Sequence, residues 1–127
     1  MLMTLGQVAI GGAIGASLRF LCGMWILRAL PVGFGFPVAI ISVNVVGSFL
    51  MGLFVVWSFQ RGMGHLNPFV MTGLLGGFTT FSAFSLEAFT LFEKGQIGAA
   101  GVYVASSVLL SLLGLMAGVM IARGLWA

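Results

Sequence analysis

The sequence predicts an all-α membrane protein: four transmembrane helices, the third broken mid-membrane, assembled as an antiparallel dual-topology homodimer. Three observations predict it. Hydrophobic residues make up 61% of the 127 and charged residues only 6%. The apolar residues fall into four long runs separated by short polar or glycine-bearing turns. The few basic residues are divided evenly between the two ends of those runs. A soluble domain carries roughly a quarter charged residues, so a chain with a mean hydropathy of +1.23 must turn most of its surface to lipid. Long uninterrupted runs without period-two alternation exclude a transmembrane barrel. At about 20 residues per crossing, residues 1–127 form one transmembrane domain with nothing left for a soluble one.

The elements follow in order. The first run covers residues 5–30 and stops at Pro31, with Gly33 and Gly35 in the connection. No basic residue precedes it and its apolar stretch is long, so it reads as a membrane span and not as a cleavable signal. The second covers 37–59, and Gln60, Arg61, Gly62, Gly64, His65 and Asn67 make a polar hinge. The third covers 68–92 and opens on Pro68, a residue favoured in a helix's first turn. Glu93, Lys94, Gly95 and Gln96 form the next turn, and the fourth run covers 97–126.

Charge and cysteine content exclude several function classes. Five basic residues against two acidic ones are scattered singly, leaving no electrostatic footprint for nucleic acid. The lone Cys22 and the lone His65 give neither a disulfide nor metal-ligand spacing. No phosphate-binding loop or catalytic constellation is present, so the chain does not read as an enzyme.

Orientation is more informative. With four crossings, and with Arg19 set aside because it lies deep in the first run, Arg61 and Arg123 lie on one side and Arg28 and Lys94 on the other. Two against two gives no positive-inside bias. Such a chain can insert both ways up, and copies of opposite orientation can pair about an axis in the membrane plane. A single orientation set by one marginal charge is the competing reading. Close helix association is supported by 20 glycines, each costing about 1 kcal/mol of helix propensity relative to alanine. Gly11 and Gly15, Gly73 and Gly77, and Gly114 and Gly118 are spaced for backbone approach.

Polar side chains within the runs are the functional candidates, because hydrocarbon penalises them. Asn44 sits in the second run, as a polar site or as a helix–helix hydrogen bond. Tyr103, Ser107 and Ser111 share one face of the fourth at i, i+4, i+8. The third run carries the strongest signal, Gly76-Gly77-Phe78-Thr79-Thr80-Phe81-Ser82-Ala83-Phe84-Ser85. Paired glycines followed by paired β-branched threonines make a poor helix centre. A break is expected there, and broken helices at membrane depth line cavities or bind ions through freed backbone groups. Arg19 in the first run and Glu87 in the third add charge inside the span. Arg19 reads first as a structural group bonding carbonyls or an acid at a helix end, and Glu87 as a snorkelled interfacial carboxylate.

The segments GGFTTFSAFS, ISVNVVGS around Asn44 and GASLRF around Arg19 resemble the bacterial fluoride channels of the Fluc, or CrcB, family. The resemblance covers essentially the whole chain. It implies a passive fluoride channel that exports fluoride from the cytoplasm through two pores per antiparallel dimer, in the bacterial inner membrane. Carried over, Asn44 is a pore donor, Phe81 and Phe84 turn ring edges to the ion, and Thr80 and Ser82 supply hydroxyls. Tyr103, Ser107 and Ser111 form a polar track, with Arg19 and Glu87 near the pore or structural. The resemblance also implies a structural sodium ion at the dimer centre, held by the backbone carbonyls of Gly76 and Thr79. The expected partners are fluoride, the bilayer and a second copy, with no organic cofactor. Ala83 stands where a threonine is frequent in the family, which removes one hydroxyl. Two other classes fit four apolar helices. One is a small proton-coupled multidrug-type exporter, which would need a central carboxylate that the first helix lacks. The other is a non-transporting membrane assembly subunit.

Overall fold

The computed structural model describes residues 1–126. Four helical spans are long and apolar enough to cross a membrane, Leu2–Ala29, Val38–Gln60, Gly64–Glu93 and Ile97–Trp126. We label them α1 (Leu2–Ala29) and α2 (Val38–Gln60), then α3 (residues 68–78) and α4 (Phe81–Glu93) within the third span, and α5 (Ile97–Trp126). A short 3₁₀ turn, Gly64–Leu66, leads into α3.

Each of the three connections holds one glycine with positive φ, Gly33 (83°), Gly62 (65°) and Gly95 (79°). That backbone region is open to glycine without steric cost, so the chain reverses tightly at each end of the bundle. At the hinge, Ser58 Oγ also donates to Asn67 Oδ1 at 2.7 Å, tying the end of α2 to the start of α3.

Two helix pairs build the bundle, α2 along α5 and α1 along α3. Glycine makes both close. A side chain at Gly15 would strike the Leu74 carbonyl and come within 2.9 Å of Phe78 N. One at Gly77 would lie 2.8 Å from Gly12 O, and one at Gly73 would lie 2.9 Å from Val8 O. On the other side Gly52 and Gly118 face each other, their α-carbons 3.2 Å from where the opposing side chain would begin. The glycine pairs of α1, α3 and α5 therefore pack within the protomer. Backbone contact of this kind replaces the hydrophobic drive that lipid cannot supply.

The third span departs from a simple helix in two places. Pro68–Leu75 is wound as a π-helix, a rare form that recurs at functional positions. The chain then leaves helical geometry at Thr79 (φ −85°, ψ 160°) and Thr80 (φ −153°, ψ 119°). The glycines before them stay helical, with Gly76 at φ −63° and ψ −35°. The break thus falls on the β-branched threonines, which favour extended backbone, and not on the paired glycines.

A small buried cluster forms beside the break: Phe84 and Leu91 of α4 with Ala100 and Tyr103 of α5, covered by Phe36, Ile40 and Ile41. Elsewhere large apolar side chains are exposed around the bundle, as a lipid-facing surface requires.

Candidate functional site

The break is held by a reciprocal pair of hydrogen bonds. Thr80 N donates to Asn44 Oδ1 at 2.8 Å, and Asn44 Nδ2 donates to Thr80 O at 3.1 Å. The partners fix the amide's orientation, since only its oxygen can meet an N–H and only its nitrogen a carbonyl. One Asn44 N–H remains. Thr80 then starts α4 as its N-cap, its Oγ1 accepting from Ala83 N at 3.2 Å. Thr79 closes α3 from the other side, its N and Oγ1 both donating to Leu75 O at 3.0 Å.

These bonds leave particular backbone oxygens free. A continuous helix would bring Thr80 N onto Gly76 O and Ala83 N onto Thr79 O. Both amides are held instead by side chains, those of Asn44 and Thr80. Gly77 O has a different partner, Arg19 Nε, which donates to it at 3.1 Å from α1.

Beside the break lies an open groove of about 360 Å³. One face of α2 supplies Asn44, Gly47, Ser48 and Met51; α5 supplies Ser107, Ser111 and Leu115; the break and α4 supply Thr79, Thr80, Phe81 and Phe84. Ser107 is 4% exposed, and its Oγ has no hydrogen-bond partner among the described residues. Phe81 is 77% exposed, whereas Phe84 is 8% exposed, and their ring centroids lie 5.3 Å apart at 52°. The groove carries amide, hydroxyl and aromatic groups and no formal charge.

Six of the eight pore residues expected from the sequence meet at this groove: Asn44, Thr80, Phe81, Phe84, Ser107 and Ser111. Ser82 is exposed outside it, 3.3 Å from Thr80 Oγ1. Tyr103 lies behind Phe84, fully buried, its ring 5.4 Å from Phe84 and 5.7 Å from Phe36. The Tyr103 hydroxyl also has no partner among the described residues. Arg19 and Glu87 line a second cavity of about 390 Å³ between α1, α4 and the Phe34–Pro37 segment.

Sequence reasoning missed Gly47, Ser48 and Phe36. Ser48 follows Asn44 at i+4, a spacing that could have placed it on the same face. A side chain at Gly47 would strike Thr79 and lie 3.3 Å from Phe78 Cδ2. Its absence makes room for the break, a demand no local signal announces.

Residues 7–119 match the family model described as "CrcB-like protein, Camphor Resistance (CrcB)". The chain belongs to the CrcB-like family. Its relatives include the "Fluoride-specific ion channel FluC" of Roseobacter denitrificans, 64% identical over 119 residues and 94% of each chain. The protein of that name from Ruegeria sp. is 59% identical over 125 residues and 98% of each chain. That from Jannaschia sp. is 65% identical over 96 residues, 76% of this chain and 91% of the relative. As a CrcB-like protein with four apolar spans, the chain is a multi-pass membrane protein.

Proposed function

We propose that this protein is a passive, fluoride-selective ion channel that exports fluoride across the bacterial inner membrane. The observation that carries the reading is the groove at the helix break. There Asn44, three serine hydroxyls and a pair of phenylalanine rings converge without a formal charge, in a chain that shares 64–65% identity with proteins named fluoride-specific channels. The activity is not enzymatic, since those relatives are channels.

Fluoride is small and tightly hydrated, and bare burial of such an ion costs tens of kcal/mol on a Born estimate. A conducting path must replace its water with donors and still release it. The spare Asn44 N–H and the unpartnered Ser107 hydroxyl are donors with unused capacity. Phenylalanine edges carry the positive side of the ring quadrupole, so Phe81 and Phe84 attract an anion without binding it as a lysine would. Ser111 extends the hydroxyl stripe along α5 and Thr80 extends it at the head of α4, with the Tyr103 hydroxyl behind Phe84 and the Ser82 hydroxyl just outside the groove. Fluoride that enters an acidified cell as neutral HF ionises inside and leaves through such a path down its gradient.

The working unit in this reading is an antiparallel homodimer with two pores. The balanced charges support it, as do the exposure of Phe81 and of Gly76 at the break on the protomer surface. A structural sodium ion at the dimer centre fits the same segment. The carbonyls of Gly76 and Thr79 are hard, neutral oxygen donors, and the amides that would have closed on them are held by side chains. The ion would supply positive charge that holds the two breaks together.

Fluoride efflux from liposomes containing the purified protein tests the reading, with chloride as comparison. Rapid fluoride-selective efflux that Phe81→Ile abolishes is expected. Efflux no faster than from protein-free vesicles would overturn it.

A further inference from the structure

Four backbone carbonyls lose helical partners at the break, those of Gly76, Gly77, Phe78 and Thr79, and side chains treat them differently. Asn44 and Thr80 take the amides opposite Gly76 and Thr79, which leaves those two oxygens open. Arg19 does the reverse at Gly77, filling the oxygen itself with its Nε–H at 3.1 Å. We infer that Arg19 narrows the cation ligands of the break, withholding the Gly77 carbonyl from a set that includes Gly76 and Thr79. The inference rests on the sodium reading above.

The chemistry is direct. A carbonyl that accepts from a guanidinium has a full positive charge about 3 Å away, and a cation cannot share it. Arginine suits the task because it stays protonated under all conditions and its planar fork fixes the direction of the Nε–H. Arg19 also sits where charge is expensive, yet it is only partly buried beside a cavity that Glu87 shares. That cavity gives the guanidinium room while its Nε reaches the break. Arg19 is therefore a positioning residue: it acts on the backbone of α3 and not on the transported ion.

Removing the guanidinium has two effects of the same sign. It returns a fourth oxygen to the break and removes a positive charge that opposes a cation. Sodium affinity therefore rises in the variant, although a residue that merely stabilised the fold would leave it unchanged or weakened.

The test is thermal unfolding of the purified full-length protein in detergent. Sodium is titrated after its removal by dialysis, and potassium keeps ionic strength constant. Ligand that binds the folded state raises the melting temperature by mass action. Wild type shows a sodium-dependent rise, and in Arg19→Met the rise sets in at a sodium concentration lower by about tenfold or more, the Coulomb gain expected near a partly buried charge. Should Arg19→Met fail to fold, Arg19→Gln is titrated instead, with a decrease of about threefold or more expected from loss of the charge. A wild type that does not respond to sodium overturns the sodium reading and the inference with it. A responsive wild type beside a variant whose rise sets in at the same or a higher sodium concentration overturns the role of Arg19 alone.

Discussion

Asn44 and Thr80 exchange two hydrogen bonds across 36 residues of sequence, so a single side-chain amide substitutes for the backbone ladder at the point where the third span breaks. Two extended residues at membrane depth would otherwise expose an N–H and a carbonyl to an apolar environment. The same amide keeps one N–H for the groove. The helix–helix reading of Asn44 and the polar-site reading are therefore compatible.

Asn44→Ala orphans both Thr80 groups, at about 1–3 kcal/mol for each. The variant is expected to unfold at a lower temperature than wild type and to lose fluoride efflux at least tenfold, by the scale on which about 1.4 kcal/mol is a factor of ten. Calorimetry and liposome efflux on one preparation check both. Unchanged stability would mean that the break holds itself.

Substitution at the glycine contacts separates close from open positions. Gly15→Ala forces a methyl group against the Leu74 carbonyl and is expected to cost about 1–3 kcal/mol or more. At Gly12 the nearest atom stands 4.0 Å away, so Gly12→Ala is expected to leave the unfolding temperature near that of wild type. Equal effects of the two would contradict the packing of α1 on α3.

Tyr103 presents a buried hydroxyl with no hydrogen-bond partner among the described residues. Tyr103→Phe removes an unmet polar group, so folding stability is expected to hold or to rise by up to about 1 kcal/mol. If that hydroxyl serves the ion, fluoride efflux falls in the same variant. Stability and flux moving in opposite directions is the diagnostic outcome, read by unfolding temperature and efflux rate. A loss of both would identify Tyr103 as a structural residue only.

The even distribution of loop charge makes orientation open to engineering. Gly64→Arg with His65→Arg biases one face of the bundle, and Val32→Arg with Gln96→Arg biases the other. Each double variant alone is expected to lose fluoride tolerance in cells, and co-expression of the two to restore it. Full tolerance conferred by one double variant alone would exclude an antiparallel dimer.

The sequence by itself determined the solvent in which this chain folds, the number of spans, their turns and the region of the break. These are decided locally, by runs of apolar residues long enough to cross a bilayer and by turn residues at their ends. It also marked Asn44, Phe81, Phe84, Ser107 and Ser111, because polar or paired aromatic groups in such a run stand out against their neighbours. Only the tertiary structure decided how they are arranged. Paired glycines and paired threonines together look locally like the weak point, yet α1 packs against Gly77, Gly76 stays helical, and the break falls on Thr79 and Thr80. Periodicity put Tyr103 on one stripe with Ser107, but Phe84 and Phe36 cover its ring and turn it inward. Gly47 and the choice of Gly77 as the partner of Arg19 left no local trace. Each depends on how closely two distant backbones approach, a quantity that no single stretch of sequence contains.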